Sequence, residues 1–152
     1  YMLGKSEGYD ELRLYALDRI KALEPTEHKF KLPKKFDAEK FFADHYGIII
    51  GDKEFDVEPV ALKVDWWQSK YLRTLPMHHT QVEVERNDEY SIFEYRLCPT
   101  FDFRQKLLSM GGSVEVLAPQ DLVYQMRDEG QGIVDMHQMP EMSYYEFKVY
   151  KK

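Results

Sequence analysis

A single cysteine, Cys98, occurs in the 152 residues, so no disulfide can close within the chain and a reducing, cytoplasmic compartment is expected. No apolar run approaches the ~20 residues needed to cross a bilayer, so no membrane partner is expected. The opening stretch, "YMLGKSEGYDELR", lacks the apolar core of a secretory signal. The phosphate-cradling glycine patterns G-x-G-x-x-G and the Walker loop are missing, as is the G-x-S-x-G elbow that carries a nucleophilic serine. His78 and His79 are adjacent, and adjacent residues on a strand point opposite ways, so they do not make a metal pair; neither a metal nor a cofactor is expected. Cys98 ends a strand just before Pro99 with no partner motif, and reads as a structural thiol. Nothing here argues for an enzyme.

Positive charge is also in short supply. The net charge of −6 argues against a chain that coats nucleic acid nonspecifically. The shortage is uneven: residues 1–55 carry ten Lys and Arg against eleven Asp and Glu, whereas residues 56–152 carry eleven against sixteen. The first segment is therefore the better partner for an anion. Four lysines in "KFKLPKK" (Lys29, Lys31, Lys34 and Lys35) could touch phosphates, although a solvated connection is the commoner meaning of such a stretch.

What is present is an ordinary soluble composition, 43% apolar and 32% charged, in a length that fits one domain or two small ones. "YMLG" and "DELRLYALDRIKALEPT" read as extended segments joined by a turn, the second bending near Leu17–Asp18 where its alternation weakens. "DAEKFFADHYG" reads as a helix capped by Asp37 and stopped by Gly47. From residue 59 the pattern is regular. "PVALKVD" alternates; "WWQSKYLRTL" places Trp67, Tyr71 and Leu75 four apart and meets Pro76; "TQVEVER" alternates, with Glu83 and Glu85 on its solvent side. "NDE" is a hairpin turn, "YSIFEYRLCP" alternates, "FDFRQKLLSMGG" is helical, "SVEVLAP" is a strand, and "DLVYQMRDEG" is a helix capped by Asp121. The order predicts an antiparallel sheet with two helices on one face, the ferredoxin-like arrangement, with Trp67, Tyr71, Phe93, Tyr95, Phe103, Leu107, Val114 and Val116 buried together. Trp66 is left exposed, where its ring could stack on a base. The tail "MPEMSYYEFKVYKK" has a strand-like aromatic end with no assigned place.

Along an extended strand, Arg13, Tyr15, Leu17 and Arg19 share one face, with Arg13 and Arg19 ~20 Å apart. Arginine beside an aromatic ring suits flat anions, and an oligonucleotide could span both guanidinium groups with a base on Tyr15. On these residues alone, an Asp18–Arg19 ion pair with Tyr15 packed under a loop is the better account.

"YMLG" followed by "RLYALDRIKALE" resembles the WYL domain of bacterial transcriptional regulators, in which a Trp-Tyr-Leu strand precedes one of the type R-x-Y/F-x-L-D-R-I. Here Tyr1-Met2-Leu3 stands where that family has Trp-Tyr-Leu. "FKLPKKFDAEKFFADHYGIII" resembles the passage into the C-terminal extension, and "LLSMGGSVEVLAP" matches that extension, the WCX domain. The resemblance implies an α+β protein: the end of a small Sm-like, SH3-type β-barrel followed by a ferredoxin-like βαββαβ extension. Its parts are a partial WYL domain with connecting helix (1–56), the WCX-type extension (57–130) and a C-terminal tail (131–152). It implies a regulator that binds a nucleic-acid-like or nucleotide effector through Arg13, Tyr15, Arg19 and Tyr1. Such a regulator assembles as a homo-oligomer and contacts DNA through a helix-turn-helix upstream of Tyr1. A pure oligomerisation module without ligand is the main alternative, and a small-molecule-binding enzyme domain a third.

Overall fold

Alternation and turn chemistry build the chain locally, and two units result, dividing between Phe41 and Phe42. The computed structural model describes residues 1–6, 8, 12–31, 34–50 and 56–137. The aromatic end of the tail lies outside them.

In the first unit, strand β1 (Met2–Gly4) pairs antiparallel with β2 (Arg13–Tyr15), setting Met2 opposite Tyr15 and Gly4 opposite Arg13. β2 is shorter than the alternation predicts. Leu17–Arg19 form a single 3₁₀ turn, in which the Arg19 amide donates to the Ala16 carbonyl at 3.1 Å. The turn falls where the alternation weakens. Among the described residues the sheet here is this one hairpin, with no closed barrel. Helix α1 (Ala38–Phe42) begins as expected, the Lys40 amide donating to Asp37 Oδ1 at 3.2 Å. It stops well before Gly47, because His45 forms an isolated parallel bridge with Cys98 instead.

The second unit is a four-stranded antiparallel sheet in the order β4-β5-β3-β6. Its strands are β3 (Glu58–Asp65), β4 (Val82–Arg86), β5 (Tyr90–Leu97) and β6 (Val114–Ala118). Helix α2 (Trp66–Thr74) links β3 to β4, α3 (Phe101–Leu108) links β5 to β6, and α4 (Gln120–Met136) follows. Two of the boundaries have a clear chemical cause. Asp65 Oδ1 accepts from the Gln68 amide at 2.6 Å and starts α2. Asn87 Oδ1 accepts from the Glu89 and Tyr90 amides at 2.8 Å and closes the β4–β5 hairpin. α4 starts two residues earlier than a cap at Asp121 predicts, with Asp121 inside its first turn.

The period-two pattern turns Val60, Leu62 and Val64 of β3 and Phe93, Tyr95 and Leu97 of β5 to one face, and Leu72, Phe103, Leu107 and Leu122 from the helices close over them. Val114 and Val116 pack half-buried against this core.

Two expected members of the core lie outside it. Trp67 and Tyr71 are 59% and 56% exposed. α2 buries its opposite side through Ser69 and Leu72, and the small Ser69 lets the helix sit close to β3 and β5. A second correction concerns β4. Its register with β5 shifts between Glu83 and Glu85, so Glu83 lies opposite Phe93 on the core face while Val82 and Val84 are exposed. Counted back from the hairpin, the extra residue at the bulge moves Glu83 and Val82 by one, which strict alternation cannot foresee.

Candidate functional site

The four residues of the expected effector face lie on two kinds of backbone. Arg13 and Tyr15, two apart on β2, share a face of the hairpin. Arg19 sits on the 3₁₀ turn and Tyr1 precedes β1. The single straight face from Arg13 to Arg19 is therefore not formed. A 3₁₀ turn rises ~2 Å per residue against ~3.3 Å for a strand, so the two arginines are closer than an unbroken strand would hold them. Tyr1, Arg13 and Arg19 are exposed and Tyr15 is half-buried. The Tyr15 ring leans across the hairpin, 4.0 Å from where a side chain on Gly4 would begin. The absence of a side chain on Gly4 leaves that surface to the ring.

In the second unit the segment 42–50 is strapped to the sheet and to α3 by polar contacts that join distant parts of the sequence. The Cys98 amide donates to the Asp44 carbonyl at 2.8 Å. His78 Nε2 lies 2.8 Å from the Ala43 carbonyl, and Asp102 Oδ2 accepts from the Ile48 and Ile49 amides at 3.0 and 3.2 Å. Tyr46 rests edge-on against Phe103, with ring centroids 5.8 Å apart. None of this was legible beforehand: Ile48 and Ile49 are exposed, and the segment is held through their backbone amides, which no side-chain pattern records.

His78 sits in the turn between α2 and β4, buried and built into the strap. Its Nε2 faces the Ala43 carbonyl and its Nδ1 lies 2.7 Å from Thr80 Oγ1. Burial pushes its pKa below the ordinary imidazole value, and the nearby His79 and His45 add to this while Asp44 and the Ala43 carbonyl oppose it. The unfolded chain therefore binds the proton more tightly than the folded one. This stability is fully present above pH 6.5, the unperturbed value, and is lost as the pH falls below it toward the folded pKa. Urea unfolding from pH 7.5 to 5 is expected to show a falling midpoint, and His78→Gln is expected to flatten that fall. A wild-type slope retained in His78→Gln would assign it to another group.

Across α2 and β4, Arg73 and Glu83 form a bidentate pair. Arg73 Nε donates to both Glu83 oxygens at 3.0 Å and Nη2 donates to Oε1 at 2.6 Å, with a further bond from Nη2 to Ser91 Oγ at 2.8 Å. The bond from Arg73 holds the Glu83 carboxyl below its ordinary pKa. Cys98 is buried and reduced, and burial raises its thiol pKa, which suits a structural residue and not a nucleophile.

The aromatic rings left out of the core form a surface stripe. Trp66 and Trp67 have ring centroids 5.9 Å apart, Tyr71 follows at 6.2 Å, and Lys70 Nζ lies 3.2 Å from the centre of the Trp66 ring. Leu75, at 78% exposure, continues the stripe. Among the described residues no group of three or more His, Cys, Asp or Glu could hold a metal ion, and no helix is long and apolar enough to cross a membrane.

No curated protein matches the chain. A family model described as the WCX domain matches residues 56–134, from just before β3 almost to the end of α4. That match takes in the whole sheet, three helices and just over half of the chain, and the chain belongs to the WCX domain family.

Proposed function

We propose that this chain is the effector-sensing and assembly part of a WYL-type transcriptional regulator, and not an enzyme. The WCX match over residues 56–134 carries the reading, because WCX domains are found in WYL-containing regulators. On this reading the β1–β2 hairpin is the end of a small Sm-like barrel, and the second unit is a ferredoxin-like extension. The strand order β4-β5-β3-β6, antiparallel throughout, supports the latter. The effector is a short single-stranded oligonucleotide or a cyclic nucleotide, held by Arg13 and Arg19 at phosphates with a base on Tyr15 and Tyr1 beside them.

The test is a titration of the purified protein with a fluorescein-labelled single-stranded oligonucleotide at several salt concentrations. Affinity is expected to fall with salt, since each neutralised phosphate releases counterions. Arg13→Ala and Arg19→Ala should each weaken binding and flatten the log–log salt slope by about one. Tyr15→Ala should cost roughly 1–3 kcal/mol of binding. If all three variants titrate like wild type, the face is not the effector site.

A second reading, assembly alone without ligand, is favoured by the exposed Trp66–Trp67–Tyr71–Leu75 stripe. Light scattering on the same samples separates the two. An oligomer that Trp67→Glu converts to monomer, in a protein that ignores the oligonucleotide, would leave assembly as the function.

A further inference from the structure

α4 extends beyond what the core needs. Leu122 is its one fully buried residue, and every residue from Gln131 to Met136 is exposed. The exposed residues are not all polar: Ile133, Val134 and Met136 are 51%, 61% and 85% exposed. Between this overhang and α3 lies an open groove of about 630 Å³, surfaced mostly by apolar atoms. Arg104, Gln125, Asp128, Glu129, Ile133 and Met136 line most of it.

Among the described residues its glycines pack against nothing. Gly132 lines the groove and Gly130 is close by, yet a side chain at either would meet nothing within 4 Å. Glycine weakens a helix, so a site that could accept alanine and keeps glycine gives up stability with no gain in packing here. What glycine supplies is a low place on the helix where another chain can come close.

The charge around the groove selects what comes. Asp128, Glu129 and Asp135 surround it, and among the described residues Arg104 is the one cation in the lining. Arg104 is already engaged, its Nη1 donating to Gln125 Oε1 at 3.1 Å and its guanidinium carbon 5.8 Å from the Phe101 ring centre. Its Nε is buried without a partner among the described residues, so this guanidinium is held against the protein and does not reach out to meet an anion. A second copy docked groove to groove would bring two sets of acids together, so charge disfavours self-pairing.

We propose that the α3–α4 groove docks a cationic amphipathic helix of a partner protein. The apolar stripe of that helix lies on Ile133 and Met136 across Gly132, and its lysines or arginines face Asp128, Glu129 and Asp135. The residues of the proposed effector face play no part, so this proposal and the proposed function stand or fall separately.

The test uses a fluorescein-labelled synthetic helix of leucine and lysine, with leucine at every third or fourth position, titrated with the full chain and followed by anisotropy. Saturable one-to-one binding is expected. The triple variant Asp128→Asn, Glu129→Gln, Asp135→Asn should weaken it about tenfold or more. Gly132→Leu fills the groove while improving helix propensity, so it should weaken binding with a melting temperature equal to or above wild type. Removing three acids from the sheet (Glu85, Glu94 and Glu115 to Gln) should leave affinity unchanged. An equal loss in the sheet variant would reduce the binding to general attraction and overturn the proposal, as would wild-type binding by Gly132→Leu or no saturable binding at all. An oligomer that Gly132→Leu dissociates would make a second copy the occupant, and would equally overturn it.

Discussion

Phe103→Ala is expected to destabilise the second unit by about 3–5 kcal/mol, the usual cost of emptying a buried phenylalanine site. Phe103 is fully buried on α3, with the Tyr46 and Tyr95 rings edge-on at 5.8 and 6.1 Å. Those two rings belong to the strap and to β5, so the space left by alanine cannot close without moving both. Domains are stable by about 5–15 kcal/mol, so this one change removes a large share of the total. Urea unfolding is expected to show a lower midpoint at an unchanged m-value, and Phe103→Leu should cost much less. A loss below about 1 kcal/mol would mean that α3 does not bury this residue.

Gly47→Ala is expected to cost about 2–3 kcal/mol, large for the addition of one methyl group. A side chain there would overlap Asp102 Oδ2 and begin 2.9 Å from Asp102 Cγ, closer than real contacts allow, so the carboxylate would have to leave. Its bonds to the Ile48 and Ile49 amides would go with it. The effect arises from space and not from backbone freedom. It has a particular signature, because the clash and the lost bonds are one event. The double variant Gly47→Ala, Asp102→Ala should therefore be less destabilised than the sum of the two single variants, by roughly 0.5–3 kcal/mol. Additive losses, measured by urea unfolding of all four proteins, would show that Asp102 does not hold the strap.

The effector face illustrates a partial legibility. The pairing of Arg13 and Tyr15 on one strand follows from a two-residue period, and the structure has it. Arg19 does not continue the line, since the period had already weakened at Leu17–Asp18 and the chain turns there. Along this segment the alternation held as far as Tyr15, and the backbone left the regular path where it faded.

The same division runs through the whole chain. The sequence by itself determined the elements and their order from β3 to α4, the hairpin at Asn87, the start of α1 at Asp37 and the burial of Phe93, Tyr95, Phe103 and Leu107. Each depends on alternation, capping or turn chemistry within a few neighbouring residues. The tertiary structure alone decided which side of α2 faces the core, because Ser69–Leu72 and Trp67–Tyr71 are both helical stripes and only the sheet beneath selects between them. It also decided that Glu83 turns inward to Arg73 across a bulge. Finally, it brought Asp102 to the Ile48 amide, 54 residues away along the chain. Those contacts exist only once distant segments have packed, and no local period in the sequence records which partner each will meet.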